Sequence, residues 1–451
     1  MNIQFDERNL LASVIGEEHG VTPAEIRSAA PAARDAVAAF QKASEAGTYG
    51  FPHLPFQTAT IKAVLDYARQ MRGKYDAICV VGIGGSALGA WALDCAMHGP
   101  HPVQSEKHPR LVILDNVDPD FVGAALDSMS PKKTVVVPIA KSGSTAETMA
   151  TFLIVQEWLV RKLGRKAAKH VAVVTSEGRG DLKKLATREK YQTFHLPENV
   201  GGRFSVLSAA GLLPAALAGI DIKKLTKGAA AITTQCWKRD PEQNAALRSA
   251  LLHWLVWQRK NKAIQVAFPY SNRLWGLAFW FRQLWAESLG KARRRSRGEG
   301  ANIGQTPVAA LGTTDQHSQV QLYMEGPNDK VFTFWAVKKF DDAGRIPKAK
   351  LGLESFDYLA GQTLAKLIDA ERRSTAAALA ENKRPNCTFT LDRVDEEHVG
   401  AFMQLMEFET AFMGELLDID AFDQEGVELG KKFTFGLMGR KGYEEFVSRV
   451  S

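Results

Sequence analysis

The sequence predicts an α/β protein with mostly parallel sheets that are covered by helices on both faces. Short apolar runs rich in β-branched residues, such as 77–81 and 134–139, alternate with longer segments of helical spacing. Continuous apolar strands that alternate with helices are typical of buried parallel sheets. The alternation occurs twice along 451 residues, a length too great for one ordinary core. We therefore expect two similar α/β units in tandem.

The first unit is expected at 48–215, after a helical, alanine-rich N-terminal segment at 1–47. The stretch 48–57 marks its start, because proline and glycine interrupt regular structure. Its strands are predicted at 77–81, 111–114, 134–139, 170–175 and 193–196, with helices at 57–72, 121–129 and 148–163. A mainly helical linker, 216–262, is expected to follow.

The second unit is expected at 263–394, and a C-terminal helical arm at 395–451. Its strands are predicted at 263–268, 307–311, 330–337 and 388–391, with helices at 274–289, 315–324 and 355–380. Two further helices, 396–417 and 424–437, close the chain. Ligands of parallel sheets bind outside the carboxyl ends of the strands, so the polar turns at those ends are the candidate sites.

The composition excludes several classes of protein. Hydrophobic residues make up 45% of the chain and charged residues 24%, which are values of globular proteins. No apolar run reaches 18 residues, so we expect no membrane span. The N-terminus lacks the basic region and apolar core of a signal peptide. The four cysteines are scattered without a CxxC pair, which favours a reduced, cytoplasmic protein without structural zinc.

The net charge of +7 favours anionic partners, either nucleic acids or small phosphate esters. The densest cationic cluster runs from Lys291 to Arg297. It is short, and no aromatic residue interleaves with it as in nucleic-acid sites. We therefore expect a solvated loop at this cluster and no nucleic-acid partner.

The stretch VVGIGGSALG, 80–89, joins a predicted strand to a helix through a glycine turn. Such a turn aims backbone N–H groups and the positive end of a helix at an anion. Read as G-x-G-x-x-A, it also fits a dinucleotide fingerprint, with Asp115 as the ribose-binding acid. However, the separation of Gly82 from Asp115 exceeds the roughly 20 residues expected for that fingerprint. We therefore favour a ligand that carries a phosphate but is not a dinucleotide.

A second turn, KSGSTAET at 141–148, supplies four hydroxyls, one lysine and a glycine just after a buried strand. Hydroxyls and backbone N–H groups together can satisfy the three terminal oxygens of a phosphate monoester. The alternative is an ordinary helix N-cap. A cap needs one hydroxyl, so four favour a phosphate site.

Three further segments carry chemically active side chains. Arg203 in ENVGGRFS follows paired glycines, and its planar guanidinium is suited to bind an oxyanion. The alternative is a structural arginine that ties two loops together by hydrogen bonds. Gln283 and Glu287 are four residues apart on one helical face. Apolar neighbours would raise the pKa of Glu287 toward that of a general base; the alternative is an exposed acid at a helix end. His317 stands in the first turn of a predicted helix, where a structural role is the alternative.

The segment FDQEGVELGKK, 422–432, is predicted to place Gln424, Glu428 and Lys431 on one helical face. Gly426 and Gly430 lie four residues apart in it, and each glycine costs a helix about 0.8–1 kcal/mol relative to alanine. A close approach by another backbone or a ligand would explain both glycines. An exposed amphipathic helix, the alternative, would not.

Together these motifs resemble phosphoglucose isomerase (glucose-6-phosphate isomerase), in the shorter bacterial branch of that family. The resemblance spans about 82–432. FDQEGVELGK matches the family signature F/Y-D-Q-x-G-V-E-x-x-K, and ENVGGRFS matches the second signature, acid-x-aliphatic-G-G-R-F-S. GIGGS and KSGST are shared more widely among sugar-phosphate-binding (SIS) domains. The resemblance implies two SIS-type three-layer α/β/α domains, with a helical N-terminal segment and a C-terminal helical arm.

The resemblance also implies a homodimer that interconverts glucose 6-phosphate and fructose 6-phosphate, with no cofactor and no metal. Glu287 would move a proton between C2 and C1 through a cis-enediol(ate), and Arg203 would stabilise that intermediate. His317 of the partner subunit would assist ring opening, with Lys431 near the ring oxygen and O1. The implied substrate-binding residues are Gly85, Ser86, Lys141, Ser142, Gly143, Ser144, Thr145 and Thr148 for the phosphate, and Gln283 and Gln424 for the sugar.

Other functions are weighed against this one. An isomerase of shifted specificity could also accept mannose 6-phosphate. A non-catalytic SIS sensor would keep the two turns but need not keep Glu287, His317 and Lys431, so their joint presence favours an enzyme. A nicotinamide dehydrogenase is less favoured still. Many relatives have serine before the lysine of the phosphate turn, where this chain has Ala140, so the phosphate could lack one hydroxyl.

Overall fold

The computed structural model describes residues 3–100, 108–143, 145–178, 180–296, 298–348 and 352–450. Two residues singled out from the sequence, Ser144 and Arg297, lie outside these described residues. The described strands are β1 (Ile3–Asp6), β2 (Ala77–Val81), β3 (Arg110–Leu114), β4 (Thr134–Pro138), β5 (Ala172–Ser176), β6 (Gln192–Leu196), β7 (Ile264–Pro269), β8 (Lys291–Arg294), β9 (Gly298–Ile303), β10 (Thr306–Ala309), β11 (Lys330–Val337) and β12 (Asn386–Leu391).

Helices make up the larger part of the fold. The described α-helices are α1 (Ala12–Ile15), α2 (Pro23–Glu45), α3 (Thr58–Met71), α4 (Gly85–His98), α5 (Pro119–Asp127), α6 (Ala146–Leu163), α7 (Asp181–Glu189), α8 (Ala209–Leu217), α9 (Ile222–Cys236), α10 (Ala245–Lys260), α11 (Trp275–Leu289), α12 (Val320–Glu325), α13 (Glu354–Asp357), α14 (Leu364–Glu381), α15 (Glu396–Leu416) and α16 (Glu428–Leu437). No helix in the described ranges is both long and apolar enough to cross a membrane.

The first sheet is parallel and lies between two layers of helices. Strands β3, β2 and β4 pair in that order, and an isolated bridge between Ile139 and Val174 extends the order to the pair β5–β6. Side chains of β2 alternate between the two faces, as the period of a strand requires. Cys79 and Val81 pack with α5, α6 and α7, whereas Val80 packs with α3, α4 and α8.

The second sheet has the strand order β1-β12-β11-β7-β10. Its strands are parallel except β1, which runs antiparallel to β12 with Ile3 opposite Leu391. One face packs with α12 and α14. The other face, which includes Trp335, belongs to the same hydrophobic core as the inner face of the first sheet. The two α/β units therefore share one core.

Several elements differ from the sequence-based predictions. The expected helical start is wrong for residues 3–6, which form β1 and obtain their hydrogen bonds from β12, far along the chain. The predicted helix 355–380 is interrupted between α13 and α14. Gly361 there has a φ of +77°, and Thr363 caps the new helix by accepting from the Lys366 amide. The boundaries of the predicted domains stay a prediction.

Helix α15 runs through the shared core, and every residue from Val399 to Gly414 is buried. It packs against α2, α9, α10 and α11. Glu407 on this helix is fully buried, and neither carboxyl oxygen has a hydrogen-bond partner in the part of the chain that is described. Burial raises the pKa of Glu407 well above its usual value. The neutral, protonated side chain is therefore favoured in the fold.

Replacing Glu407 by glutamine is expected to make stability less dependent on pH. The unfolded chain releases this proton near pH 4.5, whereas the folded chain keeps it to higher pH, so wild-type stability falls as pH rises through that interval. The glutamine variant has no such proton. Its free energy of unfolding relative to that of the wild type therefore rises by about 1.4 kcal/mol per pH unit between the two pKa values. Urea unfolding at several pH values above 4.5 measures this difference; a difference independent of pH would contradict the expectation.

The C-terminal tail, residues 424–450, is almost wholly exposed. Only Gly436 of α16 is buried, and the helix packs mainly against the short 3-10 segments next to it, 425–427 and 444–449. Among its apolar side chains, Leu437 is 58% and Met438 80% exposed. A Cβ at Gly426 or Gly430 would meet no atom within 4 Å. The close approach predicted for these glycines is therefore not made within the described chain.

Candidate active site

Two glycine turns meet at the centre of the candidate site. One is GIGGS, which follows β2, and the other is the GGR turn, which forms a short 3-10 helix at 202–204. A Cβ on Gly85 would lie 2.1 Å from the carbonyl carbon of Gly202 and 2.6 Å from the amide nitrogen of Arg203. Glycine is therefore required at position 85, because the two backbones touch. This contact places Arg203 beside the start of α4.

Arg203 lies at the centre of a hydrogen-bond network and is only 2% exposed. Its Nε donates to Ser288 Oγ at 2.7 Å. One terminal nitrogen donates to the carbonyl oxygens of Ala421 at 2.6 Å and Asp423 at 2.9 Å. These short bonds hold the inner edge of the guanidinium against the segment that precedes the C-terminal tail.

The other terminal nitrogen of Arg203 faces the polar end of α11. It donates to Glu287 Oε2 and Gln424 Oε1, both at 3.3 Å. All five guanidinium N–H donors are thus in use, with the two longest bonds on this nitrogen. Burial lowers the pKa of Arg203, and the neighbouring Glu287 carboxylate opposes that shift. This nitrogen is the one best able to exchange a partner for a ligand oxygen.

Gln283 and Glu287 share one face of α11, as their spacing predicts. Gln283 Nε2 donates to Glu287 Oε1 at 3.0 Å, so each carboxylate oxygen has one donor. A Cβ on Gly84 would lie 2.8 Å from Gln283 Nε2, which places this pair next to the GIGGS turn. The Glu287 side chain is 34% exposed. A carboxylate that is oriented on both oxygens yet open on one side can accept a proton from a ligand.

The two predicted phosphate turns lie side by side. They follow β2 and β4, which are neighbours with Val81 opposite Pro138. Helix α4 begins at Gly85 and α6 at Ala146, so both N-termini lie at this edge of the sheet. Thr145 precedes α6, but its hydroxyl makes no capping hydrogen bond. The ordinary N-cap, which was the alternative interpretation, is therefore not observed at Thr145.

Lys141 links the phosphate turn to the segment before Arg203. Its Nζ donates to the carbonyl oxygens of Glu198 at 2.7 Å and Val200 at 2.9 Å. The remaining predicted phosphate ligands differ in exposure: Gly143 and Thr148 are buried, Gly85, Ser86 and Thr145 are partly buried, Ser142 is exposed, and Ser144 lies outside the described residues. Within the described ranges, no three His, Cys, Asp or Glu side chains come together to hold a metal ion.

Two predicted catalytic residues are not brought into this cluster. His317 is exposed at the end of the 3-10 turn 314–317, and no hydrogen bond joins it to a described residue of the cluster. Lys431 lies on exposed α16, where its Nζ donates to Glu428 Oε1 at 2.6 Å. The prediction that Gln424 shares a helical face with Glu428 and Lys431 is wrong, because Gln424 precedes the 3-10 turn and α16 begins only at Glu428.

Sequence reasoning missed three residues of the network. Ser288 and Asp423 contact Arg203, and Lys291 contacts Asp423. The available signal was that Ser288 follows Glu287 and that Asp423 precedes Gln424 in FDQEGVELGKK. Two of these contacts use main-chain carbonyl groups, which every residue possesses, so residue type alone could not indicate them.

The fold and the site together define an α/β enzyme of the phosphosugar isomerase class. The sequence matches the family model of phosphoglucose isomerase over residues 65–440. The chain belongs to the phosphoglucose isomerase family.

Individual relatives agree with this assignment. The chain is 42% identical over 415 residues to a glucose-6-phosphate isomerase of Carboxydothermus hydrogenoformans, covering 91% of this chain and 89% of the relative. It is 40% identical over 447 residues to the enzyme of that name from Rubrobacter xylanophilus, covering 98% and 99%. The crystal structure of a hypothetical protein from Thermus thermophilus superposes with a TM-score of 0.87 at 36% identity, covering 97% and 100%.

These findings confirm the family, the fold class and the isomerase class that the sequence predicts. The interconversion of glucose 6-phosphate and fructose 6-phosphate follows from membership of the family. The roles of the individual site residues stay predictions.

Proposed function

We propose that Glu287 is the base of a reversible aldose–ketose isomerisation between glucose 6-phosphate and fructose 6-phosphate. The observation that carries this mechanism is the Gln283–Glu287–Arg203 cluster beside two helix N-termini. A base next to a cation at the carboxyl edge of a parallel sheet fits proton abstraction from a carbon adjacent to a carbonyl group.

In the proposed reaction, the Glu287 carboxylate takes the proton from C2 of the open-chain aldose. The electrons of the C–H bond form a double bond between C1 and C2, and the carbonyl oxygen O1 becomes the enediolate oxygen. Glu287 then returns the proton to C1, while the proton of O2 is transferred to O1. The cationic edge of Arg203 stabilises the negative charge, and Gln283 and Gln424 orient the sugar.

The phosphate is proposed to bind between the two turns, at the N-termini of α4 and α6. Backbone N–H groups there and the hydroxyls of Ser86, Ser142, Ser144 and Thr145 supply donors, with Gly85, Lys141, Gly143 and Thr148 shaping the turns. The uncapped hydroxyl of Thr145 supports this placement. Binding energy from the phosphate, remote from C1 and C2, helps to hold the reacting carbons against Glu287.

We infer that the active enzyme is a cytoplasmic homodimer in which His317 of one chain assists ring opening at the site of its partner. The exposure of His317, which has no hydrogen bond to Glu287 in the described chain, supports this arrangement. So do the exposed apolar residues of the C-terminal tail and the open space at Gly426 and Gly430. Lys431, on the same tail, is proposed to reach the ring oxygen and O1.

The reaction is tested with purified protein, glucose 6-phosphate, and neither added metal nor nucleotide. Fructose 6-phosphate is expected to form, and the reverse reaction is expected from fructose 6-phosphate. The same assay with a metal chelator present serves as the control. Binding of glucose 6-phosphate without turnover would contradict the proposal and favour a sugar-phosphate sensor.

A further inference from the structure

The basic cluster that follows α11 forms a hairpin rather than the solvated loop that the sequence predicts. Strand β8 pairs with β9 in antiparallel register. The described cations of this cluster bond the segment 415–425: Lys291 to Asp423, Arg293 to Glu425, Arg294 to the Leu417 carbonyl oxygen, and Arg295 to Glu415. That segment joins α15 to the C-terminal tail and carries two carbonyl partners of Arg203.

Lys291 has a more enclosed side chain than Arg293 and Arg295. Its side chain is 8% exposed, and its Nζ donates to Asp423 twice, to the carbonyl oxygen at 2.7 Å and to Oδ1 at 2.5 Å. By contrast, the side chains of the Arg293–Glu425 pair are 51% and 70% exposed. Solvent screens such an exposed pair strongly, whereas the enclosed contact fixes the Asp423 backbone.

One carbonyl oxygen connects Lys291 to the proposed catalytic cluster. The Asp423 oxygen accepts from Lys291 Nζ and also from the inner terminal nitrogen of Arg203, at 2.9 Å. The next residue, Gln424, accepts from the outer nitrogen of Arg203. The position of the Asp423 peptide, together with Ser288 and the Ala421 carbonyl oxygen, therefore sets where the guanidinium points relative to Glu287.

We propose that Lys291 is a positioning residue for the isomerisation: it holds the Asp423–Gln424 peptide so that Arg203 and Gln424 face Glu287. The described hydrogen bonds of Lys291 go to Asp423, and none of them reaches Glu287. This inference rests on the proposed roles of Glu287 and Arg203. Its distinctive consequence is an effect on turnover that is separate from phosphate binding, because the phosphate turns follow other strands.

The test compares Lys291→Met with Lys291→Arg, and uses Arg293→Met as a matched control at the exposed pair. Lys291→Met is expected to lower kcat by about 10- to 100-fold, the effect of a small misplacement of reacting groups. The KM for fructose 6-phosphate and the Ki of inorganic phosphate are expected to change less than about threefold, since phosphate contacts made elsewhere add independently. Lys291→Arg, which keeps donors for Asp423, should recover much of kcat, and Arg293→Met should match the wild type.

Two results would overturn the proposal. One is a folded Lys291→Met protein, judged by its thermal midpoint, with kcat within twofold of the wild type. The other is a parallel change in kcat, KM and phosphate Ki, which would indicate general disruption. If Lys291→Met does not fold, Lys291→Gln, which is shorter and uncharged but carries an amide NH2 group, gives the same comparison. An active Glu287→Gln protein would instead refute the proposed base and leave the Lys291 geometry unaffected.

Discussion

Glu287→Gln is expected to lower the rate of isomerisation by at least about 10²-fold, the low end of general-base contributions. Glutamine has nearly the same shape as glutamate but cannot accept the C2 proton. The surrounding network can adapt to it, because the Gln283 amide oxygen is buried and without a partner among the described residues. Rotation of that amide would let it accept from the new side chain, so the geometry around Arg203 should persist.

The measurement is steady-state turnover in both directions, together with binding of the phosphate ester by calorimetry. Binding should be retained, since the phosphate turns are unchanged. The matched control is Glu157→Gln, which makes the same chemical change in an exposed surface pair with Arg161 and should leave kcat unaltered. Near-normal turnover by Glu287→Gln would remove Glu287 from the role of base.

A heterodimer of two impaired variants, His317→Ala and Glu287→Gln, is expected to be active if His317 acts across a dimer interface. A heterodimer of one His317→Ala chain and one Glu287→Gln chain would contain one site with both changes and one site with neither. In a closed two-fold dimer, the purified heterodimer should therefore show about half of the wild-type activity. Each parent homodimer should remain strongly impaired, because each of its sites carries one change.

The heterodimer is obtained by co-expression with two different affinity tags, and its composition is verified by native mass spectrometry. The control is a heterodimer of wild-type and doubly substituted chains. It should be inactive or nearly so, because each of its sites would carry one change. A heterodimer of the two single variants that stays as inactive as its parents would show that His317 serves the site of its own chain.

Much of the fold could be predicted because its signals are local. The apolar composition of 77–81 is enough to predict a strand, and every residue of β2 is indeed buried. The glycine turn after it was predicted to lead into a helix, and α4 begins at Gly85. Gln283 and Glu287 share a helix face because helix geometry fixes the distance between positions four apart.

Other features could not be predicted because they depend on contacts distant in sequence. The role of Lys291 depends on a main-chain oxygen of Asp423, and no pattern of side chains marks that oxygen. Lys141 was expected to add charge for a phosphate, yet its Nζ bonds carbonyl oxygens of Glu198 and Val200. The buried carboxyl group of Glu407 gave no signal, since glutamate is usually exposed.

The pairing of β1 with β12 has a consequence for the synthesis of the protein. Ile3 is synthesised long before Leu391, yet they are opposite each other in the second sheet. The first sheet can form from residues translated earlier, whereas the edge of the second must wait for β12. Contacts of such long sequence separation slow folding. Residues 3–6 are thus expected to remain unpaired until β12 has been translated.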